Sequence, residues 1–73
     1  MTSNVGYELW DNETLNLIDD FADEGTALAA VRQVIEENGT DAVASWALDR
    51  ADHAVPPLQG KTLIERALAT ATA

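Results

Sequence analysis

The sequence contains no cysteine, so no disulfide can staple the fold and no thiolate can hold a metal. It contains one histidine and no Asp-x-Asp-x-Asp-Gly loop, so zinc-type and calcium-type centres both lack their ligand pattern. No apolar run approaches the ~20 residues that span a bilayer, and Met1 to Gly6 lacks the basic start and apolar stretch of a secretory signal. The expectation is a soluble, cytoplasmic protein with no cofactor and no metal. Basic residues are scarce as well, with four Lys and Arg against 13 Asp and Glu for a net charge of −9. Residues 1–31 hold Glu8, Asp11, Glu13, Asp19, Asp20, Asp23 and Glu24 and no base, giving −7, while residues 32–73 hold six acids and four bases, giving −2. Nucleic acid and anionic membrane are poor partners for such a chain, because their affinity comes from phosphates neutralised by Lys and Arg. A basic protein surface would be steered toward it.

What is present is a single small domain. With 73 residues, of which 47% are apolar, one hydrophobic core supplies only a few kcal/mol of net stability. Thirteen of the apolar residues are alanines, each burying little area. The core is therefore thin, and its bulky candidates run from Val5, Tyr7 and Leu9 through Leu15, Leu17 and Ile18 to Val55, Leu58, Leu63, Ile64 and Leu68. Self-association is an expected stabiliser. The ends, 1–4 and 70–73, are expected to fray.

Val5, Tyr7 and Leu9 alternate with Gly6, Glu8 and Trp10, which predicts a strand. The turn-rich Asp11-Asn12-Glu13-Thr14 and the apolar run Leu15 to Phe21 complete a β-hairpin with four or five connecting residues, since its loop lacks the Asn-Gly or Asp-Gly pair of the tightest turns. The next element is the most clearly marked. Asp23 is a good N-cap, Glu24 suits the positive end of the helix dipole, and Ala27, Leu28, Val31, Val34 and Ile35 repeat at three-and-four spacing until Gly39 ends the helix. Arg32, Gln33, Glu36 and Glu37 fall on the opposite, solvated arc. Thr40 to Ala44 fits one further helical turn, and Ser45 to Arg50 a third strand with Trp46 and Leu48 in phase toward the core. Pro56-Pro57 limits His53 to Gly60 to a loop or a short edge segment. Thr62-Leu63-Ile64-Glu65 matches a capping box that opens a short helix with Leu63, Ile64, Ala67 and Leu68 as its apolar stripe. The order is ββαβα, an α+β domain with a three-stranded, mainly antiparallel sheet, one main helix packed on it and a short C-terminal helix.

The chemistry is thin. Gly60-Lys61-Thr62 looks like the end of a phosphate-binding loop, but the required first glycine falls at Val55 and Pro56-Pro57 removes two of the amides that cradle phosphate. His53, beside Asp52, has no nucleophile motif to serve, since Ser3 and Ser45 stand in no recognisable pattern, so a solvent-exposed loop histidine is the reading. The adjacent pairs Asp19-Asp20, Asp23-Glu24 and Glu36-Glu37 point apart on a strand or a helix and form no catalytic dyad. Nothing marks an enzyme.

Trp10 is the aromatic of most interest, because it falls on the strand face opposite Tyr7 and Leu9 and shares that face with Glu8. This mixture of acid and aromatic gives the candidate contact patch, Glu8, Trp10, Asp11, Glu13, Asp19 and Asp20. Tyr7-Glu8-Leu9-Trp10-Asp11, Asn16-Leu17-Ile18, Phe21, Glu24, Ala27-Leu28 and Val31-Arg32 together resemble small uncharacterised bacterial proteins that open with a YxLWD, N-L, F, E, AL, VR pattern. The resemblance covers roughly the first half and implies the ββα order and no activity. The function expected is a non-enzymatic protein-interaction module that binds a basic partner and forms a homodimer through the Trp10 or Trp46 side of the sheet. The alternative is an acidic inhibitor that imitates nucleic-acid charge, of an anti-defence or antitoxin type.

Overall fold

A computed structural model of the chain describes residues 6–69. Val5 and the ends 1–4 and 70–73, on which a strand start and fraying were expected, lie outside the described residues. Strands β1 (Tyr7–Asp11) and β2 (Asn16–Phe21) form the hairpin, helix α1 (Glu24–Asn38) follows, and a 3-10 turn over Thr40–Val43 leads into β3 (Trp46–Arg50). Strand β4 (Leu58–Gln59) and helix α2 (Gly60–Ala69) complete the chain. The sheet has four antiparallel strands in the order β2-β1-β3-β4. The fold is thus α+β as expected, with one strand more than the three read from the sequence. The extra strand is two residues long and pairs Leu58 with Leu48 and Gln59 with Ala47, immediately after the prolines. A strand so short leaves no alternation to detect.

Both helices lie on one face of the sheet. Leu9 of β1 sits directly opposite Leu48 of β3, and these two join Ala27, Leu28, Val31 and Ile35 of α1, Val43, and Leu63 and Ala67 of α2 in one buried cluster. Tyr7, Phe21, Val34, Trp46, Leu58 and Ile64 pack around its rim. Trp46 therefore faces the helices in phase with Leu48. Every apolar position read on the buried stripe of α1 is covered, Val34 partly and the other four fully. The solvated arc carries an Arg32–Glu36 ion pair of 2.8 Å and a Gln33-to-Glu37 hydrogen bond. Gly39 closes the helix at φ 89°, where a side chain would be strained, and its N–H donates to Ile35 O at 2.7 Å.

Three expectations fail in the second half and the hairpin. Helix α2 begins at Gly60, so Thr62 lies inside the first turn rather than at a cap. Its stripe is also narrower, with Leu63 and Ala67 buried, Ile64 half-buried and Leu68 exposed. Leu15, Leu17, Ile18 and Val55, counted as core candidates, are exposed too. For Leu17 and Ile18 the cause is position: β2 is the outer strand of the sheet, and only Phe21 of its six residues is even half-buried.

The Asp23 cap makes a pH prediction. Its Oδ1 accepts the Thr26 N–H at 2.8 Å, and this backbone bond, followed by the Thr26 hydroxyl, holds its carboxyl below the ordinary aspartate value of 3.8. A carboxyl depressed in the folded state contributes stability that is present above that ordinary value and lost as pH falls through the folded one. Asp23→Ala should therefore melt below the parent at pH 6, and the gap between them should close as pH drops under about 3.8. Comparing the two proteins at each pH largely cancels the change in overall charge, which acts on both. Thermal melts of the two proteins from pH 6 to strong acid test this, and a gap independent of pH would contradict it.

Candidate functional site

The helices cover one face of the sheet and leave the other open. Backbone alternation puts Glu8 and Trp10 of β1 on that open face. In register with Glu8 lie Asp20 of β2 on one side and Asp49 of β3 on the other, so three carboxyl side chains stand in a row across three strands. Directly opposed residues have Cβ atoms about 4.5–5.5 Å apart, and like charges at that distance are destabilising. The next row is apolar: Leu17, Trp10 and Ala47 are in register across β2, β1 and β3. Ala47 is buried but stands outside the helix-side cluster, and the side chain beside it in register is that of Trp10. Trp10 is half-buried and its Nε1–H reaches Glu8 Oε1 at 3.4 Å.

The rows exist because the hairpin changes phase. Leu9 pairs with Asp19 but Trp10 pairs with Leu17, so Ile18 is an extra residue, a β-bulge. Without it Leu17 and Asp20 would lie on opposite faces.

The six expected contact residues are divided by this geometry. Glu8, Trp10 and Asp20 come together on the open face. Asp19 falls opposite Leu9 on the other phase of β2, and its Oδ1 accepts the N–H of Asp20 at 2.8 Å. Asp11 ends β1 with its carboxylate engaged, accepting from Ser45 Oγ and from the Glu13 N–H, both at 2.9 Å. These hydrogen bonds, Ser45 first, hold its carboxyl below the usual aspartate value, which makes Asp11 a brace between the hairpin and β3. Glu13 is an exposed loop residue. Asp49 was missed, since only the pairing of β1 with the distant β3 reveals it. Its Oδ2 lies 3.0 Å from His53 Nδ1. His53 is mostly exposed, at φ 57°, in a turn where its N–H donates to Arg50 O. Arg50 Nε lies 3.2 Å from Asp52 Oδ1 without the alignment of a hydrogen bond.

Leu15 was also missed as a surface residue. It is 78% exposed and sits at φ 59°, a conformation that costs a branched side chain about 1–2 kcal/mol. Leu15→Asn should raise stability by about 1 kcal/mol, because asparagine tolerates this region. That corresponds to a melting temperature about 4–8 °C higher for a domain of this size. A thermal melt below that of the parent would show that Leu15 packs on the hairpin more than its exposure indicates.

Among the described residues there is no enclosed pocket, no group of three or more potential ligands placed to hold a metal, and no helix long and apolar enough to cross a membrane. No protein-family model, no curated protein and no solved structure matches the chain.

Proposed function

We propose that this chain is a non-enzymatic protein-interaction module whose open sheet face, centred on Glu8, Trp10 and Asp20, receives a basic protein surface. The observation that carries the reading is the Asp20–Glu8–Asp49 row beside the Leu17–Trp10–Ala47 row. A stack of like charges lowers the stability of a small fold, and the apolar row beside it leaves Leu17 exposed and Trp10 only half-covered. Both features suit a cationic, partly apolar partner, with Trp10 as the anchor and the carboxylates steering the encounter.

The test is capture of partners from a cell lysate on the parent protein and on a Glu8→Lys/Asp20→Lys variant, at low and at high salt. The expected result is a basic protein retained by the parent at low salt, released at high salt and absent from the variant. Identical protein sets on both columns would remove the acidic face from the function.

The acid row also favours a second reading, an inhibitor that imitates nucleic-acid charge and occupies a basic groove. In that case the captured protein binds nucleic acid, and short duplex DNA displaces it. Self-association belongs to the same surface. With −9 on each copy, a homodimer tightens as salt rises and the Debye length shortens to ~8 Å at physiological strength. Sedimentation equilibrium reads it directly, since a mass fixed at 7.8 kDa over all concentrations at both salt levels excludes the dimer.

A further inference from the structure

The outer edge of β2 carries no neighbouring strand among the described residues. Which backbone groups face that edge follows from the β1–β3 pairing. Ala51 N–H donates to Gly6 O and Asn12 N–H to Ser45 O, so the even-numbered residues of β1 bond toward β3 and the odd-numbered ones toward β2. Asp20, across from the even-numbered Glu8, therefore turns its N–H and C=O outward. The Asp20 N–H is occupied by the Asp19 carboxylate at 2.8 Å. Leu17 and Ile18 are exposed along the same strand, 46% and 39%.

We infer that β2 is a docking edge for an extended segment of a partner protein, one that carries a basic and an apolar residue at successive same-side positions and adds to the sheet as a fifth strand beside β2. The inference rests on the reading of the chain as a module for basic partners and specifies how the partner is held. On the open face, successive same-side residues of the added strand would lie beside the two rows. One would extend Leu17–Trp10–Ala47 and so must be apolar. The other would extend Asp20–Glu8–Asp49 and so must be basic. The incoming backbone has to take the Asp20 N–H from the Asp19 carboxylate, which is then left to solvent on the other side of the strand. Charge selects this occupant over a second copy of the chain. A second β2 would bring another Asp19-Asp20 pair and the other five acids of residues 1–31 against the same edge, with no base among them.

The probe is a capped synthetic peptide of about eight residues, a usual strand length, Thr-Lys-Thr-Val-Thr-Lys-Thr-Val, which sets lysine and valine in turn along one side of the strand. Two control peptides replace every lysine with glutamate, or the two central residues with proline, which cannot donate to a strand pairing. Amide shifts and hydrogen exchange of the isotope-labelled full chain are followed during titration. The lysine–valine peptide is expected to slow exchange at the Asp20 amide and to shift Leu17, Ile18 and the Trp10 indole. Its binding should weaken by about tenfold between about 10 and 150 mM salt, as the Debye length falls from ~30 to ~8 Å. Leu17→Lys should weaken it further while leaving the fold intact.

If the proline peptide binds as tightly as its parent, strand addition is wrong while the basic-partner reading survives. If the glutamate peptide binds as tightly as the lysine peptide, both are wrong. Binding of no peptide, with the Asp20 amide protected instead as protein concentration rises, would assign the edge to a second copy and overturn the inference.

Discussion

Val31→Asp is expected to leave the chain without a cooperative thermal transition at room temperature and above. Val31 is fully buried at the middle of α1, in the cluster that joins Leu9, Leu48 and Leu63. Among the described residues no polar or charged side chain is buried alongside it. Burying an unpaired carboxylate costs several kcal/mol, even after it escapes part of the penalty by taking up a proton. A domain of this size has a total stability of about 5 kcal/mol, so the one substitution consumes most of it. Gln33→Asp is the control, because Gln33 lies on the exposed arc of the same helix, where substitutions change stability by about 0.5 kcal/mol or less. Circular dichroism of the two variants during heating measures the contrast. A Val31→Asp protein that melts together with Gln33→Asp would mean that α1 packs with a different face.

That contrast is available because α1 was legible from its own residues. A helix repeats its buried face every three or four positions, so Ala27, Leu28, Val31, Val34 and Ile35 declare it within one segment, and Asp23 and Gly39 mark its ends with groups that satisfy the free N–H and C=O of a helix. The hairpin was legible from its own local pattern, with four or five connecting residues expected and four found, one position later than the turn was read. What the sequence does not declare is which strand lies at the edge and which face is covered. Leu15, Leu17 and Ile18 read as core because they are apolar, yet burial needs a layer above them. The bulge at Ile18 and the outer place of β2 are set by pairings with β1 and by the insertion of β3 beside it.

The candidate surface divides along the same line. Glu8 and Trp10 were legible as sharing a face, because alternation along one strand is local. Asp20 joining them depends on the bulge, and Asp49 on a partner strand far away in the chain. The bond of Asp11 to Ser45, at the mouth of that distant strand, was not legible either. Residues whose roles are fixed by a turn or a period can be assigned from sequence, whereas residues whose roles depend on non-local register cannot.

Leu63→Ala has the second largest expected effect, a loss of about 2–5 kcal/mol. Leu63 is fully buried and is among the largest such side chains. It belongs to α2, the helix that packs against both β3 and β4 and also against α1, so truncating it opens a void where two layers meet. Its neighbour one turn on, Ala67, is also fully buried and has no larger side chain with which to refill the space. The surroundings can collapse only by moving α2, which would weaken the two-residue pairing of β4 with β3. Leu68 makes the comparison sharp, since it has the same side chain on the same helix but is 43% exposed. Leu68→Ala leaves no internal void and should change stability far less. Urea denaturation of the parent and both variants would measure the difference, with midpoints compared at similar slopes so that the exposed surface on unfolding is the same. Equal midpoints for Leu63→Ala and Leu68→Ala would mean that α2 contributes little to the core and that the first half of the chain holds itself together without it.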